Sequence, residues 1–241
     1  MKLKKILLLL IISISATLKP NAQQLNLPGF DNQLWHFGFA LSYNKADLYI
    51  QQSFTPITSD SLHSLYVNPA SGFTLGVVSS INFTPNFKLR FAIPSLSFQE
   101  RTLEYTFRDS HIPDTSVFWT KSLRPVYLDF PVLLKCRTNR IDNWAVYAIT
   151  GLRFGVDMAS DKDVENDTPI LEDQVVKLKK TDFGFEIGGG FDFFLEYFKL
   201  GLELKLGVGM KNIHLNDNTH FDSPIESLRS KVWTFSITFE G

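Results

Sequence analysis

The chain has one cysteine, Cys136, in 241 residues. A single cysteine leaves no partner for an internal disulfide, so stability has to come from burial and strand pairing. Past the first residues, no apolar run reaches the ~20 residues that a membrane helix needs. A chain of this kind that enters a membrane does so as a closed barrel. The formal net charge is -1, which gives no electrostatic case for nucleic acid as a partner. Catalytic signatures are missing as well. There is no G-x-S-x-G, no H-E-x-x-H, no phosphate-binding loop and no CxxC. No enzymatic activity, cofactor or small-molecule substrate is therefore expected.

Aromatic residues are plentiful: 22 Phe, 7 Tyr and 4 Trp. Such residues favour strands and gather at the interfaces of membrane barrels. The N-terminus opens with the basic stretch Met1 to Lys5, followed by an apolar run from Ile6 to Ile14. This is the form of an export signal, with cleavage expected after Ala22. The expected division is a signal peptide over 1–22, a periplasmic N-terminal segment over 23–34 and a barrel over 35–241.

Alternation with period two dominates the mature chain. Eight runs carry it, beginning at Trp35, Phe73, Phe87, Val126, Trp144, Phe183, Phe198 and Trp233. One face of each run is apolar and bulky. The other mixes glycine with charge, as in Gly201, Glu203, Lys205 and Gly207. Glycine suits a narrow barrel interior and charge suits a paired or wet one. The apolar face should then meet lipid. Connections near residues 84–86, 137–143 and 195–196 are short. Those over about 44–72, 99–124, 160–181 and 212–231 are long and read as loops that face outside. Strict alternation of short and long connections predicts an all-β, eight-stranded, antiparallel up-and-down transmembrane β-barrel of the bacterial outer membrane. An even number of strands predicts both termini in the periplasm.

The outward residue nearest the periplasmic end of each strand is Trp35, Phe83, Phe87, Leu134, Trp144, Phe193, Phe198 or Phe239. All but Leu134 are aromatic, which predicts an interfacial girdle in contact with outer-membrane lipid. Arg90, Asp129, Lys135, Arg153, Glu186, Glu203 and Lys205 fall on the inward parity. A paired network filling the lumen is expected of them, because isolated buried charges are costly. His214 and His220, flanking Asp217, read as part of a solvated polar loop. So does the acidic stretch Asp161 to Asp167. Asp157, Asp182 and His214 are the near-rim residues to which catalysis could be assigned, and nothing in their spacing favours it. Gly188, Gly189 and Gly190 lie within a strand and are read as relieving crowding or permitting curvature.

The stretches Pro125 to Arg140 (PVYLDFPVLLKCRTNR) and Tyr147 to Ser160 (YAITGLRFGVDMAS) resemble the PorT family of outer-membrane barrels. The resemblance implies an accessory component of the type IX secretion system of Bacteroidota. Such a component is needed for cargo export and acts through other secretion-system proteins. No catalytic residue is implied, and Cys136 departs from the motif. The alternative from the residues alone is a generic small outer-membrane barrel: an adhesin, an envelope-stabilising protein or a narrow pore.

Overall fold

The computed structural model describes residues 25–53, 62–108, 116–166 and 170–241. The expected signal peptide lies outside them. The described residues form twelve strands: β1 (Trp35–Gln52), β2 (Leu62–Asn82), β3 (Phe87–Phe98), β4 (Arg101–Arg108), β5 (Ser116–Leu123), β6 (Val126–Arg137), β7 (Trp144–Asp157), β8 (Lys177–Leu178), β9 (Thr181–Phe194), β10 (Lys199–Gly209), β11 (His214–Leu215) and β12 (Ile225–Glu240). Eight of them close into an antiparallel barrel in the order β1-β2-β3-β6-β7-β9-β10-β12, with β12 returning to β1. Closure leaves no exposed sheet edge in the barrel wall.

Parity within the barrel follows the sequence pattern. On β1, Trp35, Phe37, Phe39, Leu41 and Tyr43 point out and are each about half exposed, while His36 and Asn44 are buried. Facing aromatics pack along the outer surface. Phe39 stacks on Phe239 at 4.8 Å and Phe73 stacks on Phe98 at 4.5 Å. The inward glycines make room for large side chains. A Cβ at Gly190 would lie 2.7 Å from the Tyr147 hydroxyl, and one at Gly155 would lie 2.6 Å from Asp129 Oδ1. At either position a side chain would force its neighbour to shift.

One strand departs from its expected end. The alternation of β3 weakens at Ser95, yet the strand continues to Phe98. The cause is Pro94, which has no N–H to donate to the ladder. Register shifts there against both neighbours, between Phe91 and Ser95 facing β6 and between Ile93 and Leu96 facing Val77 and Leu75 of β2. Pairing then resumes.

The largest correction concerns the four long connections, which are not plain loops. β1 runs on to Gln52, β2 begins at Leu62 and β12 begins at Ile225. Above Ala70, β2 leaves β1 and β3 and pairs instead with β4, which pairs with β5. The short strands β8 and β11 pair with each other. Together these segments form a cap with its own apolar core. Leu48, Leu65, Leu103, Tyr105, Phe221 and Leu228 are its centre, and all are buried. Burial of each such side chain stabilises by roughly 1.5–3 kcal/mol, which is why these segments fold instead of remaining solvated.

The cap explains a change of face along single strands. On β1 the apolar residues point outward up to Tyr43. From Ala46 onward they point inward, with Ala46 and Leu48 buried and Tyr49 outside. On β12, Phe235 and Trp233 are outward, whereas Leu228 and Ile225 turn in. Each strand therefore has one apolar stretch suited to lipid and one suited to an ordinary water-surrounded core.

Candidate functional site

The barrel interior is filled by a connected ladder of ion pairs. At the capped end, Arg153 donates to Asp129 at 2.7 Å and to Asp182 at 2.5 Å, and the Ser230 hydroxyl donates to Asp182 at 2.6 Å. Arg153 also approaches Glu186 at 3.8 Å. Lys205 links Glu186 at 3.1 Å with Glu203 at 3.5 Å. Arg90 donates to Glu203 at 2.8 Å and to Glu240 at 2.6 Å. Lys199 closes the row on Glu240 at 2.8 Å. Beside it, Lys135 donates to Asp192 at 2.8 Å and lies 3.5 Å from the centre of the Tyr147 ring, whose hydroxyl donates to Glu203.

All seven lumen residues named from the sequence belong to this ladder or to its Lys135 branch. Lys199, Asp182, Asp192 and Glu240 belong to it too and were not assigned to it. Their parity was the available signal: Glu240 follows the outward Phe239 and so must face in. Between the layers lies a cavity of about 80 Å³, lined by small residues such as Ala40, Ser42, Gly76 and Ser95. That is room for a few waters, each of which takes up roughly 30 Å³ in the liquid. Several ladder atoms, including Asp192 Oδ2 and Arg90 Nε, have no protein hydrogen-bond partner. Water in this polar space would satisfy them.

The end that carries the termini is closed by residues 26–32. Phe30 sits under the barrel, its ring stacked 3.7 Å from His36 with Lys199 4.7 Å from its centre. Asp31 meets Lys88 at 3.1 Å, Arg137 at 2.9 Å and Arg140 at 2.7 Å. Arg140 also donates to the Asn26 carbonyl at 2.9 Å. Leu27 is held at a φ of 47°, a region that non-glycine residues seldom occupy. The periplasmic-segment assignment did not anticipate that this stretch docks as a plug.

Burial raises the Asp31 pKa, but the hydrogen bond from Arg137 and the charge of Lys88 outweigh it and hold the carboxyl well below its usual range. A carboxylate depressed on folding stabilises above its unfolded pKa of about 4. That stabilisation is lost progressively as pH falls below the unfolded pKa and through the lower folded value. The plug should therefore stay docked from neutral pH down to about pH 5, above the unfolded pKa. Asp31→Asn should release it at neutral pH at a cost of about 1–3 kcal/mol. Hydrogen exchange over residues 26–32 measures this, and unchanged protection in the variant would rule out the carboxylate as the latch.

The named interfacial aromatics share this same end. Trp35, Phe83, Phe87 and Trp144 are exposed on the outer surface, and Phe193, Phe198 and Phe239 are half-buried among neighbours. The near-rim residues Asp157, Asp182 and His214 each have separate partners. Asp157 accepts the backbone N–H groups of Val126 and Ala159. Asp182 holds Arg153. His214 is buried, not solvated, and pairs through Nε2 with Asp222 at 3.0 Å. This corrects the reading of its segment as a free polar loop. Among the described residues, no cluster of three or more metal-ligating side chains is present.

Residues 21–215 match the family model described as "Outer membrane protein beta-barrel domain". The chain belongs to that family. It is an integral outer-membrane barrel, since the match spans most of the chain and the hydrogen-bonded ring closes with lipid-suited residues outside. No curated protein matches the sequence. Solved structures similar to it include Neisserial surface protein A, with a TM-score of 0.44 at 11% identity, covering 85% of this chain and 96% of that one. OprG from Pseudomonas aeruginosa gives 0.43 at 12% identity, with 86% and 95% covered. Ail of Yersinia pestis, in complex with the heparin analogue sucrose octasulfate, gives 0.39 at 10% identity, with 87% and 100% covered.

Proposed function

We propose that this barrel is a closed, non-enzymatic scaffold that acts by binding partners at its cap and rims. The observation that carries this reading is the ion-pair ladder, which fills the lumen from the Arg153 cluster to the Asp31 plug. A filled interior removes transport as the main activity and leaves the surfaces. On this reading the cap faces outward, both termini are periplasmic, and the aromatics from Trp35 to Phe239 form the periplasmic-side girdle in lipid. An adhesin or an envelope-stabilising protein has this form. We assign no catalysis, because Asp157, Asp182 and His214 are committed to separate structural bonds.

A second reading is an accessory part of the type IX secretion machinery. The PorT-like stretches at 125–140 and 147–160 favour it. They form much of the β6–β7 hairpin, whose short turn holds Arg140 against the plug. Secretion partners would then engage the periplasmic turn as well as the cap. Deletion of the gene separates the readings. The scaffold reading expects a normal secreted proteome with altered surface adhesion or envelope integrity. Loss of exported cargo from an otherwise intact outer membrane would replace it with the secretion reading.

A further inference from the structure

A cleft of about 760 Å³ opens at the capped end, separate from the lumen. Its volume falls within the range of small-ligand sites, about 300–1,000 Å³. Both walls are held by buried polar groups. On one side the Asn166 amide donates to the Val175 carbonyl at 2.8 Å and accepts from the Val175 N–H at 3.0 Å. On the other side Asp222 is fully buried. It accepts from the Thr219 hydroxyl at 2.8 Å and the Asp217 N–H at 3.3 Å, and pairs with His214. Asn218, between them, is held at a φ of 56°. Lys177 on the first wall binds Asp217 on the second at 2.6 Å. Segments locked in this way are pre-organised, and a site on such supports loses little freedom on binding.

The groups left facing the cleft have a definite chemistry. Asp163, Glu165 and Asn218 are exposed planar hydrogen-bonding side chains. The His220 ring rests on Phe107 at 4.3 Å and supplies a flat, partly apolar platform. Carboxylates and amides suit paired hydroxyl donors, and a ring suits the C–H face of a sugar. The lining carries Asp163, Glu165 and Asp217 against Lys162 and Lys177, an excess of negative charge that disfavours phosphorylated or sulfated ligands.

We infer that this cleft binds a neutral oligosaccharide. The inference rests on the reading of the cap as an outward-facing binding surface. The same chemistry serves two sources, the neutral outer-chain sugars of the cell's own lipopolysaccharide and a soluble glycan.

The test uses the full mature chain in nanodiscs free of lipopolysaccharide, titrated calorimetrically with maltotriose, chitotriose and mannotriose. A parallel titration uses a neutral, phosphate-free outer-chain oligosaccharide released from lipopolysaccharide. Binding by at least one neutral sugar, weakened at least tenfold in both His220→Ala and Glu165→Ala, is expected. Whichever titration binds more tightly identifies the source. No binding in either titration, equal binding by both variants, or tighter binding of a sulfated trisaccharide would overturn the assignment. The underlying orientation is tested apart from it. Lys162→Cys should react with an impermeant maleimide on intact cells, and failure to react would overturn the outward cap whatever the sugar result.

Discussion

Replacing Arg90 with methionine is expected to destabilise the barrel by about 3–5 kcal/mol, the usual cost of removing one partner from a buried ion pair. Arg90 is buried and is the link between Glu203 and Glu240. Without it both carboxylates stay in place, also buried. Lys205 at 3.5 Å and the Tyr147 hydroxyl at 2.9 Å would be left to hold Glu203, and Lys199 at 2.8 Å to hold Glu240. The urea midpoint for loss of heat-modifiable gel migration reads the effect. Adding Glu203→Gln should recover part of the loss, since it removes one of the stranded charges. A single variant as stable as the parent would show that the ladder contributes little. A double variant destabilised by the full sum of the singles would show that Arg90 and Glu203 are not coupled.

Phe221→Ala is expected to loosen the cap by about 3–5 kcal/mol while leaving the barrel intact. Phe221 is fully buried and meets Tyr105 at 5.2 Å and Trp119 at 5.8 Å, both edge-on. Its removal leaves a hole among side chains from β4, β5 and the segment before β12. Hydrogen exchange should rise in β4, β5, β8 and β11. Protection in the barrel parts of β7, β9 and β10 should not change. Exchange that rises equally in both regions would mean that cap and barrel are one cooperative unit. No change in either would mean that the cap core does not hold these segments.

The barrel itself was legible because lipid imposes one rule on every strand. Trp35 to Tyr43 and Phe198 to Met210 repeat the same outward pattern, and a period of two needs no long-range knowledge to detect. The lumen charges followed from the same parity. Which cation meets which carboxylate was not legible, since Arg90 reaches across the barrel to Glu240, 150 residues away in sequence. The cap was missed for a physical reason. Between Tyr43 and Ala46 the apolar face of β1 changes sides. A reader who follows one face sees the strand end and a polar loop begin. The inverted pattern at Ala46 and Leu48, and again at Leu103, Tyr105 and Phe107, is a strand facing a core in water. His214 was misread similarly: a histidine in a polar stretch gives no sign that Asp222, eight residues on, will bury it. Asp31 and Phe30 carried no periodic signal, so the plug was invisible until the cations that hold it were placed.

Single-channel recording of the purified protein in planar bilayers tests the closed-scaffold claim most directly. The expected record is a quiet membrane with no large, steady openings, because the ladder occupies the lumen and the Asp31 plug sits across one end. Large steady conductance from the unmodified chain would contradict it and return the lumen to the centre of the protein's function.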